Sequence, residues 1–400
     1  MKKIIVHTSL INFFITLSMM MTMPYLSLYL KDYMGANFLN ISFSFAFYAL
    51  PLFLLEIPTG GVADIIGRKK LFNVSQFIVV ISFIILLIPN FYCVLIFQFL
   101  SGVGRALNSG SLEAWAIDSL KDEDDSKIED LFRTIVTYSH IAAILGIILG
   151  SLLMSNFFFD ASHRLFQINI WGGIIFSSIA LIISMFFQRV DNKGKYQSIK
   201  ITAMLKDVKN DIKQSPKIIV FLMFGLFFAV YFNSIETFWQ PFLKERIVSV
   251  NYDYILIGIV GSIAYIVGII FNLLSSKIKF KSISFLVSVK IILGLLLSSL
   301  SFVNTQYSFV IFYASIYGLV SVVDPIENTL FNNLIKSDRR ATFISIKSCF
   351  SYLGILVGLP LLGLIGKNNS LKTLFAVSGM IFVISSTIIY LLRHVFKKNK

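Results

Sequence analysis

The chain has 400 residues, of which 56% are hydrophobic and only 14% charged, with a mean hydropathy of +0.80. Soluble domains carry about 25% charged residues, so the composition excludes an ordinary soluble protein. The formal charge of +14 would suggest a nucleic-acid partner only if the cations were clustered, and their distribution along the chain excludes that class.

Long apolar runs alternate with short polar breaks along the whole chain. A helix needs about 20 mostly apolar residues to cross a bilayer. The first run is longer than the apolar region of a signal peptide and no A-x-A-like site follows it, so we interpret it as a retained helix. The sequence predicts an all-α polytopic membrane protein with 12 transmembrane helices, spans 1 to 12, at residues 5–30, 39–58, 71–89, 92–116, 134–156, 166–187, 218–241, 253–274, 284–303, 307–331, 343–365 and 371–392.

The lysines and arginines lie mainly on one side of the predicted membrane. If both termini share a side, the loops on that side hold 26 of the 35 cations, the opposite loops hold six, and three lie within spans: Arg105, Lys290 and Lys347. Cytoplasmic loops carry the excess of such residues. We therefore expect a multi-pass protein of the plasma membrane with both termini in the cytoplasm.

The two halves of the chain resemble each other. Residues 133–150 align with residues 341–358 without a gap, so that Gly146 meets Gly354 and Gly150 meets Gly358, each 208 residues apart. Repeat-built membrane proteins are typically secondary transporters with a site between the halves. We predict two pseudo-symmetric six-helix halves, at 1–187 and 218–400, joined by a basic cytoplasmic linker at 188–217.

The polar break after span 2 carries a recognisable motif. The segment GGVADIIGRKK, residues 60–70, resembles the signature turn of the major facilitator superfamily, Gly-x-x-x-Asp-x-x-Gly-Arg-Lys/Arg-x. Gly60, Asp64, Gly67 and Arg68 match the pattern in place. The length, the number of spans, the repeat and the long central loop also match, so the resemblance covers the whole chain.

The resemblance implies a conformational latch on the cytoplasmic side. Glycine at this turn permits a sharp change of backbone direction. The resemblance implies that Asp64 meets the start of span 11 near Thr342 in the outward-facing state, and that Arg68 pairs with Asp118 at the end of span 4. The alternative is that these cations only enforce topology. The predicted latch consists of Gly60, Asp64, Gly67, Arg68 and Asp118.

Several ionisable residues fall inside predicted spans, where they are costly and usually mark function. The family often carries Arg-x-x-x-Gly in span 4, implicated in proton coupling, but this chain has Gln98 to Gly102 there. Arg105, predicted at about mid-span, lies nearly two turns further on the same face and can substitute. Asp324 and Pro325 predict a break or kink in span 10. The candidates for proton coupling or a substrate cavity are Arg105, Glu113, Glu236, Asp324 and Glu327.

Glu236 in span 7 is the acid with the most substrate-like surroundings in the sequence. Tyr231, Asn233 and Trp239 lie near it in sequence, and the resemblance places spans 1, 4, 7 and 10 around the central cavity. An apolar, aromatic cavity with a carboxylate suits lipophilic or cationic compounds. The alternative is that the intramembrane acids form interhelical salt bridges. Lys290 could pair with one of them or with the backbone.

The leading interpretation is a secondary transporter that works by alternating access and exports hydrophobic or cationic small molecules against protons. The methionine run at residues 19–23 favours promiscuous apolar ligands. One alternative is a symporter or facilitator for uptake of a small nutrient, and another is a transport-inactive ligand-binding receptor. We expect no enzymatic activity, cofactor, metal or nucleic-acid partner. The expected partners are the substrate and the lipid bilayer, the energy source is the proton gradient, and the expected state is a monomer.

Overall fold

A computed structural model describes residues 2–109, 111–118, 125–155, 164–186, 211–212, 215–247, 253–275, 282–335 and 339–395. A π-helical turn, Tyr29–Tyr33, continues the first helix. In these ranges the helices α1 to α13 are Lys2–Leu28, Phe38–Ile66, Arg68–Leu86, Phe91–Asn108, Ser111–Asp118, Asp125–Met154, Arg164–Phe186, Lys217–Lys244, Asp253–Ser275, Ile283–Ser299, Gln306–Asn332, Arg340–Asn368 and Leu371–Val395.

Twelve of these helices are long and apolar enough to cross a membrane, from Ile4–Tyr33 to Leu371–Leu391. Their number confirms the prediction, and most of their bounds fall within a few residues of the predicted spans. The described part of the chain contains no strand. The protein is therefore an all-α polytopic membrane protein, as the apolar runs predict.

Side chains at the polar breaks explain where several helices begin. The first backbone N–H groups of a helix have no partner within it, and short polar side chains can accept from them. Asn90 accepts from the Tyr92 N–H before α4 at 2.8 Å. Ser282 accepts from the Phe285 N–H before α10 at 3.1 Å, so the breaks read from the sequence are real helix boundaries.

The motif segment forms a much shorter turn than residues 60–70 suggest. Helix α2 continues to Ile66, and α3 begins at Arg68. Gly67 alone separates them, with φ of 99° and ψ of 135°. This conformation is open to glycine and strained for other residues, which explains why a glycine stands at this position.

The fourth predicted span is divided. Helix α4 ends at Asn108 and α5 begins at Ser111, whereas residues 92–116 were expected to be continuous. The intervening letters are Asn-Ser-Gly-Ser, residue types that favour turns over helix interiors. Arg105 consequently lies in the last turn of α4, so its predicted position at mid-span is wrong.

The chain divides into two compact units. Unit 1 comprises residues 1–36, 50–197 and 248–262, and unit 2 comprises 37–49, 198–247 and 263–400. Each unit includes the first part of a helix from the other half of the sequence, α9 in unit 1 and α2 in unit 2. The boundaries at 187 and 217 stay a prediction, and most of the linker 188–217 lies outside the described residues.

Glycines of α6 bring it against α1 inside unit 1. A Cβ at Gly146 would lie 3.1 Å from the Leu17 carbonyl oxygen, and one at Gly150 would lie 2.7 Å from that of Met21. The Tyr25 hydroxyl of α1 also donates to the Ile147 carbonyl oxygen at 2.6 Å. Small residues at such interfaces let helix backbones approach closely.

Unit 2 repeats this packing with α12 and α8. The Leu226 carbonyl oxygen occupies the place where a side chain at Gly354 would begin, and a Cβ at Gly358 would lie 2.5 Å from Val230 Cγ2. Both glycines are those that align with α6 in the sequence. The repeated letters therefore correspond to a repeated helix interface in each unit.

Candidate functional site

One face of α8 in unit 2 carries an acid between two aromatic residues. Phe232 and Trp239 lie four and three residues from Glu236, spacings that place side chains on the same helix face. Trp239 stacks on Tyr313 of α11, with ring centroids 4.8 Å apart. Phe232 packs against Tyr317, one turn further along α11, at 5.8 Å.

Two more contacts complete an aromatic cluster around this acid. Tyr313 lies 4.8 Å from Tyr317, and Tyr265 of α9 lies 6.2 Å from Tyr317, both measured between ring centroids. Tyr265 and Tyr313 are also close enough to Glu236 to interact with its carboxylate electrostatically. The aromatic cluster is defined as Phe232, Trp239, Tyr265, Tyr313 and Tyr317.

The Glu236 carboxylate is enclosed yet incompletely paired. Its Oε1 atom is buried and has no hydrogen-bond partner among the described residues. A buried acceptor without a donor costs free energy, so such an atom is a candidate for contact with a ligand or a proton. A carboxylate flanked by aromatic faces can bind an organic cation through both its charge and the ring quadrupoles.

The sequence neighbours of Glu236 divide between this cluster and other roles. Trp239 belongs to the cluster. The Tyr231 hydroxyl instead donates to the Leu293 carbonyl oxygen at 3.2 Å, and Asn233 Nδ2 donates to the Ala229 carbonyl oxygen at 2.9 Å. The Tyr231 hydroxyl therefore joins α8 to α10, whereas the Asn233 amide bonds within α8.

A second polar centre in unit 2 joins three helices through charge. Lys290 Nζ of α10 lies 2.6 Å from Glu327 Oε2 of α11. Lys347 Nζ of α12 lies 2.8 Å from Glu327 Oε1 and donates to Asn328 Oδ1 at 3.0 Å. We call Lys290, Glu327 and Lys347 the ion-pair network. The sequence left open whether Lys290 pairs with an intramembrane acid or with the backbone. The structure shows that it pairs with Glu327, an acid of span 10.

The network is deeply buried, and this makes its pairing energetically important. The side chains of Lys290 and Glu327 are 0% and 5% exposed, and that of Lys347 is 17% exposed. The rings of Phe224 and Phe228 also lie 4.5 and 5.1 Å from Lys290 Nζ. An unpaired charge in this environment would be strongly destabilising, so Glu327 has a structural role in holding the two lysines.

Asp324 lies one turn before Glu327 on the same helix but differs from it. Its side chain is exposed and lies within electrostatic range of Glu327, Lys290 and Lys347. Among the described residues it makes no direct ion pair. Helix α11 runs from Gln306 to Asn332 with Pro325 inside it, so the helix does not break at this proline, and the kink there stays a prediction.

A cavity of about 420 Å³ opens beside the ion-pair network, between α11 and α12. Its wall carries hydrogen-bonding side chains in addition to one cation. The side-chain carbonyl oxygen of Asn332 is buried there without a partner among the described residues. The polar lining residues are Asn328, Asn332, Lys347, Ser348, Ser351 and Tyr352.

Unit 1 also contains an acid and a base that interact. Glu56 of α2 lies within electrostatic range of Arg105 of α4, and its Oε2 atom is buried without a hydrogen-bond partner among the described residues. Arg105 itself is exposed. Gln98, which stands where the family pattern has arginine, is fully buried with both amide atoms unpaired in the described structure.

The predicted latch is only partly visible. Gly67 forms the turn and Arg68 begins α3. The backbones of Gly60 and Asp64 belong to α2, and those of Glu113 and Asp118 belong to α5. The side chains of Asp64, Glu113 and Asp118 lie outside the described part of the structure, so the pairing of Arg68 with Asp118 stays a prediction.

Sequence reasoning missed five residues at these two centres, among them Phe232, which lies four residues before Glu236 on α8. Tyr313 and Tyr317 are spaced four apart on α11, a helical spacing that could have placed them on one face. Lys347 was noted only as a cation within a span. Tyr265 carries no local signal, because its neighbourhood with Glu236 depends on how α9 packs in unit 2.

Several known proteins resemble this chain. An uncharacterized MFS-type transporter YxaM of Bacillus subtilis (strain 168) is 22% identical over 391 residues, covering 92% of this chain and 90% of the relative. An uncharacterized transporter BU466 of Buchnera aphidicola subsp. Acyrthosiphon pisum (strain APS) is 23% identical over 359 residues, covering 86% and 85%.

Solved structures share the fold. The nucleoside transporter NupG superposes with a TM-score of 0.77 at 15% identity, covering 99% of this chain and 100% of that one. A POT family transporter bound to a thioalcohol-conjugated peptide gives 0.74 at 15% identity, covering 98% and 96%. The sequence also matches the family model described as Major Facilitator Superfamily over residues 8–320. With its twelve spanning helices and this match over most of its length, the chain belongs to the major facilitator superfamily and is a multi-pass membrane transporter.

Proposed function

We propose that this transporter exports hydrophobic organic cations in exchange for protons. The observation that carries the proposal is Glu236, whose buried and unpaired oxygen lies beside the aromatic cluster in unit 2. Aromatic faces around a carboxylate are a recurrent way to bind quaternary and protonated amines. The methionine run in α1 adds adaptable apolar surface suited to varied ligands.

Coupling follows from competition for one carboxylate. Glu236 can neutralise its charge by binding either a proton or an organic cation, and leaving it ionised without either is costly in this environment. If each side of the membrane loads a different one of the two, alternating access converts a proton gradient into cation export. Arg105, Glu113, Asp324 and Glu327 stay alternative candidates for the proton-carrying group.

The test is flux of ethidium in proteoliposomes under an imposed proton gradient. We expect gradient-driven ethidium movement by the natural protein, loss of that movement in Glu236→Gln, and retention in Glu245→Gln. Glu245 is a matched control because it lies at the end of the same helix and its side chain is 46% exposed. Equal movement in the natural protein and Glu236→Gln would contradict the proposal.

A second candidate is uptake of a small polar solute. The specific observation in its favour is the cavity beside Lys347, whose wall includes amide, hydroxyl and ammonium groups together with the apolar side chains of Phe331 and Ile344. Polar lining of this kind suits solutes that need several hydrogen bonds. Absence of ethidium movement under either gradient, together with gradient-driven accumulation of a polar solute, would favour this candidate.

We further propose that Gly60, Asp64, Gly67, Arg68 and Asp118 form a latch on the cytoplasmic side, that both termini lie in the cytoplasm of the plasma membrane, and that the protein acts as a monomer. The excess of lysine and arginine in the loops on that side supports the topology. Labelling of single cysteines placed at residues 69 and 367 with an impermeant reagent tests the orientation, because only the cysteine at residue 367 should react from outside intact cells.

Flux by the Asp64→Asn variant tests the latch.

A further inference from the structure

We propose that the cavity beside the ion-pair network binds a small oxyanion, a carboxylate or phosphate with an adjacent hydroxyl, as a second ligand separate from the organic cation. The proposal begins with the donors of Lys347. An ammonium group has three N–H donors. Glu327 and Asn328 engage two of them among the described residues, which leaves one for a ligand in the cavity that Lys347 lines.

The charge of the network also favours an anion. Two lysines share a single glutamate, so Lys290, Glu327 and Lys347 carry a formal charge of +1 between them. Asp324 is the nearby compensating acid, but it is exposed and makes no direct ion pair in the described structure. An anion that reaches Lys347 would therefore add a counter-charge that the network itself lacks.

The remaining wall supplies the other half of the recognition. Ser348 also lines the cavity and offers a hydroxyl donor to oxyanion oxygens, whereas the Ser351 hydroxyl already donates to the Lys347 carbonyl oxygen at 3.2 Å. Asn332 presents a buried carbonyl oxygen without a partner among the described residues. That oxygen needs a donor, which an adjacent hydroxyl on the ligand provides. Glycolate and monohydrogen phosphate combine both features, whereas acetate lacks the hydroxyl.

This site is distinct from the aromatic cluster. A Cβ at Gly225 of α8 would lie 3.4 Å from Lys347 Cγ, so Gly225 marks the level of the cavity on that helix. Glu236 is eleven residues further along α8, about 16 Å at 1.5 Å per residue. A small ligand cannot span that distance, and each centre can therefore be tested without the other.

The experiment measures ligand protection against thermal unfolding in nanodiscs of phosphatidylcholine. Glycolate and inorganic phosphate should protect the natural protein, and acetate should protect less. Lys347→Gln should weaken protection about tenfold or more in ligand concentration, the scale of a charge-assisted hydrogen bond. Lys367→Gln is the matched control, since this exposed lysine lies near the other end of α12, and protection there should be unchanged.

Two further variants test the charge argument by gain of binding. Glu327→Gln removes the internal carboxylate that competes for Lys347, and Asp324→Asn removes the nearby exposed one, so both should tighten glycolate binding. If Glu327→Gln does not fold, Asp324→Asn still provides this test. A merely structural network would give no tightening. Equal protection of Lys347→Gln and the natural protein, or unchanged affinity in Asp324→Asn, would overturn the proposal.

The source of the oxyanion and the independence of the two sites are read in the same assay. Protection only in phosphatidylglycerol nanodiscs, lost in Lys347→Gln, would support the oxyanion site and assign it to a lipid headgroup. Ethidium should still protect Lys347→Gln, and glycolate should still protect Glu236→Gln. Failure of ethidium to protect any variant would contradict the cation proposal alone. Failure of glycolate, phosphate, acetate and anionic lipid to protect the protein would contradict the oxyanion proposal alone.

Discussion

The two units of the molecule share their helix packing but differ in how they bury charge. In unit 1, Gly146 of α6 lies against the backbone of α1, and in unit 2, Gly354 of α12 lies in the same way against α8. In unit 2, however, Lys290 and Glu327 form a fully enclosed ion pair. In the described part of unit 1, the comparable acid Glu56 interacts with an exposed Arg105.

This difference separates scaffold from chemistry. The glycine contacts occur in both units, so they belong to the repeated framework that any transporter of this architecture needs. The ion-pair network and the aromatic cluster are described in unit 2 only, although some acidic side chains of unit 1 lie outside the described residues. Buried charge is costly and persists where function requires it, which directs the search for ligands to unit 2.

The largest expected effect comes from breaking the charge that distinguishes unit 2. Glu327→Leu leaves Lys290 and Lys347 without their shared acid, and the free energy of unfolding should fall by about 3–5 kcal/mol. Adding Lys290→Met should restore part of the loss, because it removes one of the unpaired charges. Denaturation in mixed micelles measures both.

The matched change in unit 1 should have a much smaller effect. Glu56→Leu removes a half-buried acid whose Oε2 atom has no partner among the described residues, so little pairing is lost. A loss in Glu56→Leu equal to that in Glu327→Leu would mean that the two units bury charge in the same way, against the comparison.

The glycine contacts should respond equally in the two units. Gly146→Val and Gly354→Val each force a branched side chain against a neighbouring helix backbone, and each should lower the free energy of unfolding by about 1–3 kcal/mol. Val357→Ala is the control, because Val357 of α12 is 53% exposed and its truncation should change little. A large effect in one unit only would show that the repeat in sequence is not a repeat in packing energy.

The sequence was sufficient to predict the twelve spans because each depends on a local property, the length of an apolar run. It was less informative where a break has no charge. Residues 108–111 are small and polar, and such residues are tolerated within transmembrane helices, so the end of α4 at Asn108 was not anticipated. Likewise, nothing local indicated that α2 would continue to Ile66 and leave Gly67 as the only turn residue.

The candidate site was predicted only in part because side-chain partners depend on helix rotation and neighbours. Glu236 and Glu327 were found from their cost at bilayer depth. The choice of Glu327 as the partner of Lys290 required knowing that α10 and α11 face each other at that level. Tyr265 joins the aromatic cluster through a contact between helices that are not adjacent in sequence, which no single-helix pattern can reveal.

A smaller effect is expected at the turn between α2 and α3 of unit 1. Gly67→Ala places a Cβ in a backbone conformation with φ of 99°, and the free energy of unfolding should fall by about 1–2 kcal/mol. Ile66→Ala is the control, since the neighbouring residue has helical backbone and a side chain that is 41% exposed. A thermal shift no larger than that of the control would mean that the turn adapts to a side chain.

The smallest expected effect concerns serine pairs that link helices in both units. Ser82 donates to Val79 and Ser234 donates to Tyr231, so in each pair the partner, Ser101 or Ser378, must donate across the helix interface. Interhelical hydrogen bonds in membranes average about 0.6 kcal/mol, so Ser101→Ala and Ser378→Ala should each cost about that much. Double-mutant cycles with Ser82→Ala and Ser234→Ala measure the two coupling energies. Equal coupling energies would mean that both serine pairs belong to the helix packing that the two units share. A much larger coupling energy for the Ser234–Ser378 pair would mean that this pair belongs to the buried polar groups that distinguish unit 2.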